Sequence, residues 1–260
     1  MRILVIGGAG HVGGLVLPFL GEHHSLRVFD LRPPADPPPG TEFVRGDVTD
    51  SAALTEAMAG IEAVLYMAMG TPPRDQARGA VAASAFDVNT KGVYLALLAA
   101  SQAGITQAVY TSSLSVYHAV GGGGKGESRY YVDEDLPPDA RSLYGFTKRL
   151  GEEVCRNAAR QWQMNVNALR LCFPVSEAKW LEEARVGTPT IATAAPDVSR
   201  ALLAALEFRA GFQAFTISGD YEQKLMRLDK ARQLLGWEPQ SRPRDPSSDL
   251  PGDKSADRPA

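Results

Sequence analysis

Residues 3–13 have the sequence Ile3-Leu-Val-Ile-Gly-Gly-Ala-Gly-His-Val-Gly13. Four aliphatic residues in a row, three of them β-branched, are typical of a strand that is buried on both faces of a parallel sheet. The glycines that follow have the spacing G-x-x-G-x-x-G, and a helical pattern begins at residue 12. In a strand–turn–helix unit, such glycines permit a sharp turn, a close approach of the backbone to a pyrophosphate, and tight packing of the helix on the strand. The helix N-terminus presents free N–H groups to the phosphates. The stretch therefore predicts a dinucleotide site that includes Gly7, Gly10, His11, Val12 and Gly13.

Beyond this unit, short apolar runs alternate with longer helical patterns, which predicts βαβ units, a parallel sheet and right-handed crossovers. We expect strands at 3–6, 26–30, 42–45, 63–68, 108–111 and 166–171, and a late strand at 214–217. Helices are expected at 12–21, 80–103, 142–162 and 198–208, with a shorter helix capped by Ser51. The predicted fold class is α/β, a Rossmann-type doubly wound parallel sheet with a small C-terminal substrate lobe.

The same pattern suggests how the chain is divided. Residues 1–174 are expected to form the dinucleotide-binding Rossmann domain, and residues 175–240 a small substrate lobe. Residues 241–260 contain four prolines and one large aliphatic residue, so we expect a disordered tail.

Composition limits the classes of function. The 260 residues include 27 Lys+Arg and 30 Asp+Glu, and this slight acidity excludes the basic whole-domain footprint of a nucleic-acid binder. The longest apolar runs are about eight residues, well short of the roughly 18 needed to cross a bilayer. Cys155 and Cys172 lack the CxxC spacing of zinc or redox sites. We therefore expect a cytoplasmic protein that binds a small molecule and that binds no metal, nucleic acid or membrane.

Asp30 bears on the identity of the dinucleotide. It ends the second predicted strand, 20 residues after Gly10, where a carboxylate accepts hydrogen bonds from the adenosine ribose hydroxyls. A carboxylate there would repel a 2′-phosphate, so the sequence favours NAD over NADP. Arg32 could hold that phosphate, and NADP remains the alternative.

A second group of residues is suited to proton transfer. Tyr144-Gly-Phe-Thr-Lys148 places a phenol and an ammonium at i and i+4, on one helical face. The hydroxyl-rich segment 111–117 follows the fifth predicted strand, and the carboxyl ends of strands are where open α/β sheets place their sites. A hydride-transfer cofactor needs such a proton partner.

On these residues the chain resembles the extended short-chain dehydrogenase/reductases of the NAD-dependent epimerase/dehydratase superfamily. Further matching pieces are Gly46-Asp47-Val48, Ala68, Asn89, Ser112-Ser113, Leu169-Arg170, Asp197-Val198 and Leu235-Gly-Trp-Glu-Pro239. The resemblance implies that Asp47 and Val48 contact the adenine, that Ala68 lines the cofactor groove, and that Asn89 belongs to the same cofactor site. It places Ser113 at the catalytic hydroxyl position, with Ser112 and Ser115 as neighbours. It also implies that Lys148 holds the nicotinamide ribose, and that helices 80–103 and 142–162 pair across a two-fold axis in a homodimer.

The chemistry of these side chains predicts an NAD-dependent oxidoreductase. Tyrosine has an unperturbed pKa near 10, and we expect Lys148 and the nicotinamide to lower the pKa of Tyr144. Tyr144 then moves a proton while Ser113 orients the reacting oxygen of a carbinol or ketone. Two alternatives remain. One is a sugar epimerase of the same superfamily, and the other is a non-catalytic NAD(P)-sensing regulator, a class that commonly loses the tyrosine.

The residue before Pro174 bears on the substrate. The resembling family often has an asparagine there that helps to bind a nucleotide-sugar diphosphate, whereas this chain has Phe173. An aromatic ring offers no donor to a phosphate. Lys179 and Arg185 could still hold one carboxylate or phosphate. We therefore expect a small free, sugar-like substrate such as a monosaccharide, a uronic acid or a related hydroxy-ketone. In length and layout the chain is similar to uronate dehydrogenases.

Overall fold

A computed structural model describes residues 1–70, 78–118 and 131–243. Its strands are β1 (Arg2–Ile6), β2 (Ser25–Asp30), β3 (Glu42–Arg45), β4 (Ala63–Tyr66), β5 (Gln107–Ser113), β6 (Asn165–Leu171), β7 (Pro174–Val175), β8 (Thr193–Ala194) and β9 (Phe212–Ile217). Seven of them form one sheet in the order β3-β2-β1-β4-β5-β6-β9, and every pairing in this sheet is parallel. The short strands β7 and β8 pair with each other, also in parallel.

Helices cover both faces of the sheet. They are α1 (His11–Gly21), α2 (Ser51–Ala57), α3 (Arg78–Phe86), α4 (Val93–Gln102), α5 (Leu143–Gln161), α6 (Glu177–Glu183), α7 (Ala195–Glu207) and α8 (Asp229–Leu235). The alternation along β1 shows the two layers. Leu4 and Ile6 are buried in a cluster with residues of α2, α4 and α5, whereas Ile3 and Val5 are buried in a cluster with residues of α1, α7 and α8. This confirms the predicted Rossmann-type, doubly wound parallel sheet.

The strand bounds differ from expectation at the two places that matter most for the site. Strand β5 was expected to end at residue 111 but continues to Ser113, because Ser112 and Ser113 keep pairing with Arg170 and Leu171 of β6. Strand β4 was expected to reach Ala68 but ends at Tyr66. Ala68 therefore lies in the loop beyond the sheet.

Two helix predictions are corrected. The expected continuous helix at 80–103 consists of α3, a π-helical segment at Asp87–Gly92, and α4. Ser51 is the first residue of α2 rather than its cap. Asp50 is the N-cap, because its carboxylate accepts hydrogen bonds from the N–H groups of Ala52 and Ala53.

Part of the expected C-terminal lobe belongs to the main layers. Strand β9 pairs with β6 along its whole length, and α7 packs against α1. The segment between β6 and α7 contains the paired strands β7 and β8 and the helix α6. The sequence pattern did not predict α6. The division at residue 174 stays a prediction, and residues 244–260 of the expected tail lie outside the described residues.

Within the described ranges, none of the helices is both long enough and apolar enough to cross a membrane.

Candidate active site

A cleft of about 600 Å³ opens at the carboxyl ends of the parallel strands. It lies where the strand order reverses, between β1 and β4, which is the switch point at which open α/β sheets bind ligands. The loop between β1 and α1 forms one wall of the cleft, and the ends of β5 and β6 with the first turns of α5 form another.

The glycine loop is shaped by close backbone contacts. Gly7 has a φ of +84°, and a Cβ there would lie 2.3 Å from the backbone of Ala68. A Cβ at Gly13 would lie 2.0 Å from the carbonyl oxygen of Gly8. Both positions therefore require glycine. Gly7 permits the turn and the close approach of the loop after β4, and Gly13 permits the packing of α1 against the loop that precedes it.

The start of α1 suits a dinucleotide phosphate. Gly10 is the N-cap residue of α1, and it has no side chain that could accept a hydrogen bond from the first N–H groups of the helix. Gly10, His11 and Val12 line the cleft. The first N–H groups of a helix have no intrahelical partner, so they can donate to an anion. The close approach of Gly7 to the backbone of Ala68 brings the loop after β4 against this helix start. The residues present therefore fit the pyrophosphate of a dinucleotide.

Asp30 and Arg32 lie together at the far end of the glycine loop. Asp30 is the last residue of β2, and its Oδ2 accepts a hydrogen bond from the N–H of Ala9 at 3.0 Å. The Arg32 Nη2 lies 3.5 Å from the carbonyl oxygen of Ala9. Both side chains line the cleft. The structure thus brings a carboxylate and a guanidinium to the same position.

The predicted adenine contacts are also in the cleft. Asp47 and Val48 follow β3 and line it together with Ala68. Asp47 is held by Thr49, whose N–H and hydroxyl each donate to Asp47 Oδ1 at 2.8 Å.

Ser113, Tyr144 and Lys148 meet at the end of β5. The Ser113 hydroxyl is near enough to the Tyr144 phenol to influence its pKa, and the Lys148 Nζ donates to the carbonyl oxygen of Thr111 at 2.8 Å. Ser142 caps α5 by accepting from the N–H of Gly145 at 3.1 Å, which fixes the first turn of α5 beside the end of β5. All three predicted catalytic residues line the cleft.

Burial changes the acidity of this group. Lys148 is buried, and its desolvation lowers its pKa to about 8. Desolvation raises the pKa of Tyr144, and the hydrogen bond from Ser113 opposes that shift. In the protein alone, burial therefore dominates at Tyr144, and the lowering of its pKa that we expected from Lys148 is not seen.

Asn89 is near the site but does not line the cleft. It is fully buried in the π-helical segment, where its Nδ2 donates to Thr147 Oγ1 at 3.0 Å. Its Oδ1 accepts from the N–H of Gly70 at 3.2 Å. Asn89 thus connects the loop after β4 with α5, one residue before Lys148.

Phe173 stands at the mouth of the cleft. It is 58% exposed, lines the cleft, and has a φ of +39°, which is unusual for a residue with a side chain. Its conformation is fixed from two sides. The N–H of Thr193 donates to the Phe173 carbonyl at 3.2 Å, and His11 Nε2 lies 3.0 Å from the carbonyl oxygen of Pro174. His11 therefore bridges the glycine loop and the loop after β6.

The sequence did not single out several lining residues. Most are apolar residues from the loop after β4, the π-helical region and the end of β6: Met67, Met69, Val88 and Leu171. Their position just beyond predicted strands was the signal that could have found them. Conversely, Lys179 and Arg185 are not among the described lining residues. Lys179 pairs with Glu183 along α6, and Arg185 donates to the carbonyl oxygens of Glu182 and Ala184.

Comparison with known proteins identifies the family. The family model described as the NAD dependent epimerase/dehydratase family matches residues 3–215. The chain belongs to this family. The match covers the glycine loop, the end of β5 and the first turns of α5.

Two curated relatives show how far the similarity extends. The 3 beta-hydroxysteroid dehydrogenase/Delta 5-->4-isomerase of Mycobacterium tuberculosis (strain CDC 1551 / Oshkosh) is 36% identical over 161 residues, which cover 58% of this chain and 41% of that protein. The chain therefore spans about two fifths of the length of this relative. The NAD-dependent glucose-6-phosphate dehydrogenase of Haloferax volcanii is 24% identical over 262 residues, and the match covers 92% of this chain and 92% of that protein.

Among solved structures, a mutated uronate dehydrogenase has the same fold. It superposes with a TM-score of 0.74 at 21% identity and covers 92% of this chain and 82% of its own. At this identity the likeness concerns the fold.

Proposed function

We propose that this family member is an NAD-dependent oxidoreductase that transfers a hydride between nicotinamide and a carbinol or ketone of a small sugar-like substrate. The observation that carries the proposal is the meeting of Ser113, Tyr144 and Lys148 in the same cleft as the glycine loop. The retained tyrosine and lysine argue against a non-catalytic NAD(P)-sensing regulator.

In this mechanism NAD supplies the hydride acceptor or donor. Tyr144 takes the proton of the substrate hydroxyl at its phenol oxygen during oxidation and returns it during reduction. Ser113, beside Tyr144 in the cleft, orients the reacting oxygen. Lys148 would hold the nicotinamide ribose, and the ionised form of Tyr144 that takes up this proton would be favoured once the positively charged ring of NAD is bound beside it.

We further propose that NAD is preferred over NADP. The Asp30 carboxylate is fixed by Ala9 at the end of the glycine loop, where the ribose hydroxyls of the adenosine would lie. A 2′-phosphate at this position would approach that carboxylate.

The proposed substrate is small and free rather than nucleotide-linked. Phe173 lines the cleft together with Leu171 and Pro174. An aromatic face can contact the C–H face of a sugar ring but cannot compensate the charge of a diphosphate. Lys179 and Arg185 bond to partners on and after α6, and the substrate that we propose is a monosaccharide, a uronic acid or a related hydroxy-ketone.

Epimerisation remains the second candidate within the family, because it uses the same tyrosine and lysine. An epimerase returns the hydride to its own intermediate. Cofactor that survives purification and a lack of net NADH formation would therefore favour it.

The protein is proposed to act as a cytoplasmic homodimer. Aromatic side chains of α3, α4 and α5 are exposed at Phe86, Tyr94 and Phe146, each to 40%. Phe86 and Phe146 contact each other edge to face, with ring centroids 6.2 Å apart. An exposed aromatic patch on paired helices is suited to a two-fold contact.

The test is a matched substrate panel. Purified protein and NAD are given glucose, glucuronic acid, galactitol, UDP-glucose and UDP-glucuronic acid, and the formation of reduced nicotinamide is followed. We expect kcat/KM to be higher for a free compound than for its nucleotide-linked counterpart. Far more efficient turnover of a UDP-sugar would contradict the proposed substrate.

Tyr144→Phe tests the proposed catalysis on whichever compound is turned over. We expect a loss of about 10²–10⁴-fold in kcat with nearly unchanged NAD affinity, because only the proton-transfer group is removed. Tyr131→Phe is the control, since Tyr131 is exposed, bonds to the Gln223 carbonyl and does not line the cleft. Near-wild-type activity of Tyr144→Phe would contradict the proposed function.

A further inference from the structure

The ammonium group of Lys148 lies over the ring of Tyr110. The Lys148 Nζ is 5.0 Å from the centroid of this ring, and a cation is attracted to an aromatic face within about 6 Å of its centroid. The same Nζ donates to the carbonyl oxygen of Thr111 at 2.8 Å. Tyr110 and Thr111 are consecutive residues of β5, so one strand supplies both contacts. Tyr110 and Lys148 are both buried, so water screens the contact little.

The position of the Tyr110 ring is fixed by close packing. The Tyr110 hydroxyl donates to the main-chain carbonyl oxygen of Lys148 at 3.4 Å. A Cβ at Gly151, on the next turn of α5, would lie 2.3 Å from the Tyr110 hydroxyl oxygen, so the helix approaches the ring as closely as a glycine allows. Tyr66 is the register partner of Tyr110 on β4, and the centroids of the two rings are 6.1 Å apart. The ring therefore cannot move away from Lys148 without disturbing α5 or β4.

Tyr110 presents a neutral ring to the ammonium group. Burial raises the pKa of Tyr110 well above its usual value, so its phenol is not ionised at neutral pH. Burial also raises the pKa values of Tyr144 and of Cys155, a thiol on α5. The attraction between Lys148 and Tyr110 is therefore that of a cation for the face of a ring, rather than that of an ion pair.

The carboxylate of Glu152, one turn beyond Lys148 on α5, is already compensated. Its two oxygens accept hydrogen bonds from Arg170 of β6 at 2.9 and 2.7 Å. Such a bidentate pair satisfies the carboxylate from the side of the sheet. Among the described contacts of the Lys148 Nζ, the Thr111 carbonyl and the Tyr110 ring are thus the two groups that face its charge.

We propose that Tyr110 is a positioning residue whose ring face holds the Lys148 ammonium at the end of β5 and stabilises its charge there. This role rests on the proposed function of Lys148 in the hydride-transfer site. An ammonium group has three N–H donors. The Thr111 carbonyl accepts one, the proposed contact with the nicotinamide ribose takes another, and the Tyr110 ring is the partner for the third. Burial disfavours the charged form of Lys148, and the electron-rich face of the ring opposes that effect.

The test changes the charge distribution of the ring and leaves its shape nearly unchanged. The series is Tyr110→Phe followed by 4-fluoro-, 3,5-difluoro- and 3,4,5-trifluorophenylalanine at position 110, introduced by amber suppression. Fluorine withdraws electron density from the ring face and so weakens its attraction for a cation. The proteins are labelled with lysine that carries ¹³C at Cε, the Lys148 resonance is assigned with Lys148→Met, and its chemical shift is followed against pH. This measurement needs no substrate.

The expected result is a stepwise fall in the Lys148 titration midpoint. Burial lowers the pKa of Lys148 to about 8, so wild type should titrate near pH 8. Tyr110→Phe keeps the ring and should titrate close to wild type. A weaker ring face favours the neutral amine, so the midpoint should fall with each added fluorine, by about 0.5–1 unit over the series. A midpoint that stays constant across the series would overturn the proposal, because a ring with a merely structural role would not respond in this way.

Phe215 provides the matched control. It is a fully buried aromatic residue of β9, and the Lys230 Nζ lies 5.3 Å from the centroid of its ring. The same fluorinated series at position 215 should leave the Lys148 midpoint unchanged. An equal fall of the Lys148 midpoint in both series would also overturn the proposal, because it would show a general response of the core to fluorine.

A further substitution covers the case in which Tyr110→Phe does not fold. Incorporation of 3-fluorotyrosine at position 110 keeps the hydroxyl and weakens the ring face. We expect its Lys148 midpoint to be lower than that of wild type, and an unchanged midpoint would again contradict the role of the ring. The proposed function fails separately, since it depends on turnover and on the loss caused by Tyr144→Phe rather than on this titration.

Discussion

At the residue scale, the proposed choice between the two nicotinamide cofactors would depend on two side chains that contact the same residue. Ala9 donates its N–H to Asp30 and faces Arg32 with its carbonyl oxygen. Asp30 Oδ2 is 3.0 Å from its donor, whereas the Arg32 contact is 3.5 Å long and exposed. The carboxylate is therefore the better fixed of the two groups, and it should dominate the selection.

We expect wild type to bind NAD more tightly than NADP, and Asp30→Ala to narrow that preference by about tenfold, which corresponds to about 1.4 kcal/mol. Removal of the carboxylate takes away acceptors for the ribose hydroxyls and the repulsion of a 2′-phosphate. The measurement is the dissociation constant of each dinucleotide by calorimetry. Arg32→Ala is the companion variant. If wild type bound NADP more tightly, and Arg32→Ala reversed this, the guanidinium would be the selecting group.

At the scale of single elements, the glycine loop contains a matched pair of substitutions. Gly13 and Gly14 are neighbours in α1, but a Cβ at Gly13 would lie 2.0 Å from the Gly8 carbonyl oxygen, while a Cβ at Gly14 meets nothing within 4 Å. Gly13→Ala should lower the free energy of unfolding by about 1–3 kcal/mol, because backbone must move apart, and should weaken NAD binding. Gly14→Ala should raise the free energy of unfolding by about 0.5–1 kcal/mol. Urea denaturation measures both, and equal effects would contradict the close packing of α1 on its loop.

Local patterns explain which elements the sequence predicted. The run Ile3–Ile6 and the glycine spacing act within one strand–turn–helix unit, so β1 and α1 were predicted to within a residue at each end. Strand β5 was cut short because Ser112 and Ser113 have no apolar pattern. They stay in the sheet through pairing with β6, which is a tertiary contact.

Other features arise from contacts that no local pattern contains. The π-helical segment surrounds Asn89, which is buried between Gly70 and Thr147. Helix α6 has seven residues and one buried side chain, Trp180, so its periodicity is too short to recognise. Phe173 has a positive φ, and its loop is held by Thr193, which bonds to the Phe173 carbonyl, and by His11, which contacts the Pro174 carbonyl. Thr193 and His11 are both distant from Phe173 in the sequence. The meeting of Ser113, Tyr144 and Lys148 in one cleft was predictable because their spacing and strand-end position are encoded locally. The buried ion pair of Glu152 and Arg170, in contrast, depends on the register of β5 and β6.

At the scale of the whole molecule, the sheet leaves one helical layer with an exposed aromatic surface. Helices α4 and α5 cover the sheet with their inner faces, α3 packs against α5, and Phe86, Tyr94 and Phe146 remain 40% exposed on this layer. Tyr94 contacts Trp162 with ring centroids 5.5 Å apart, so the aromatic surface reaches the end of α5. A two-fold contact through this surface would bury the same residues from both copies.

The proposed homodimer can be tested with one substitution. The chain mass is 27.9 kDa, and we expect light scattering at micromolar concentration to give twice this mass for wild type. Phe146→Glu should give the monomer mass, because an isologous contact meets each substitution twice and buries two carboxylates at one interface. Leu234→Glu is the control, since Leu234 is similarly exposed, at 44%, but lies on α8 at the other face of the sheet. A monomeric wild type, or an equal loss of dimer in both variants, would count against a dimer formed through α3, α4 and α5.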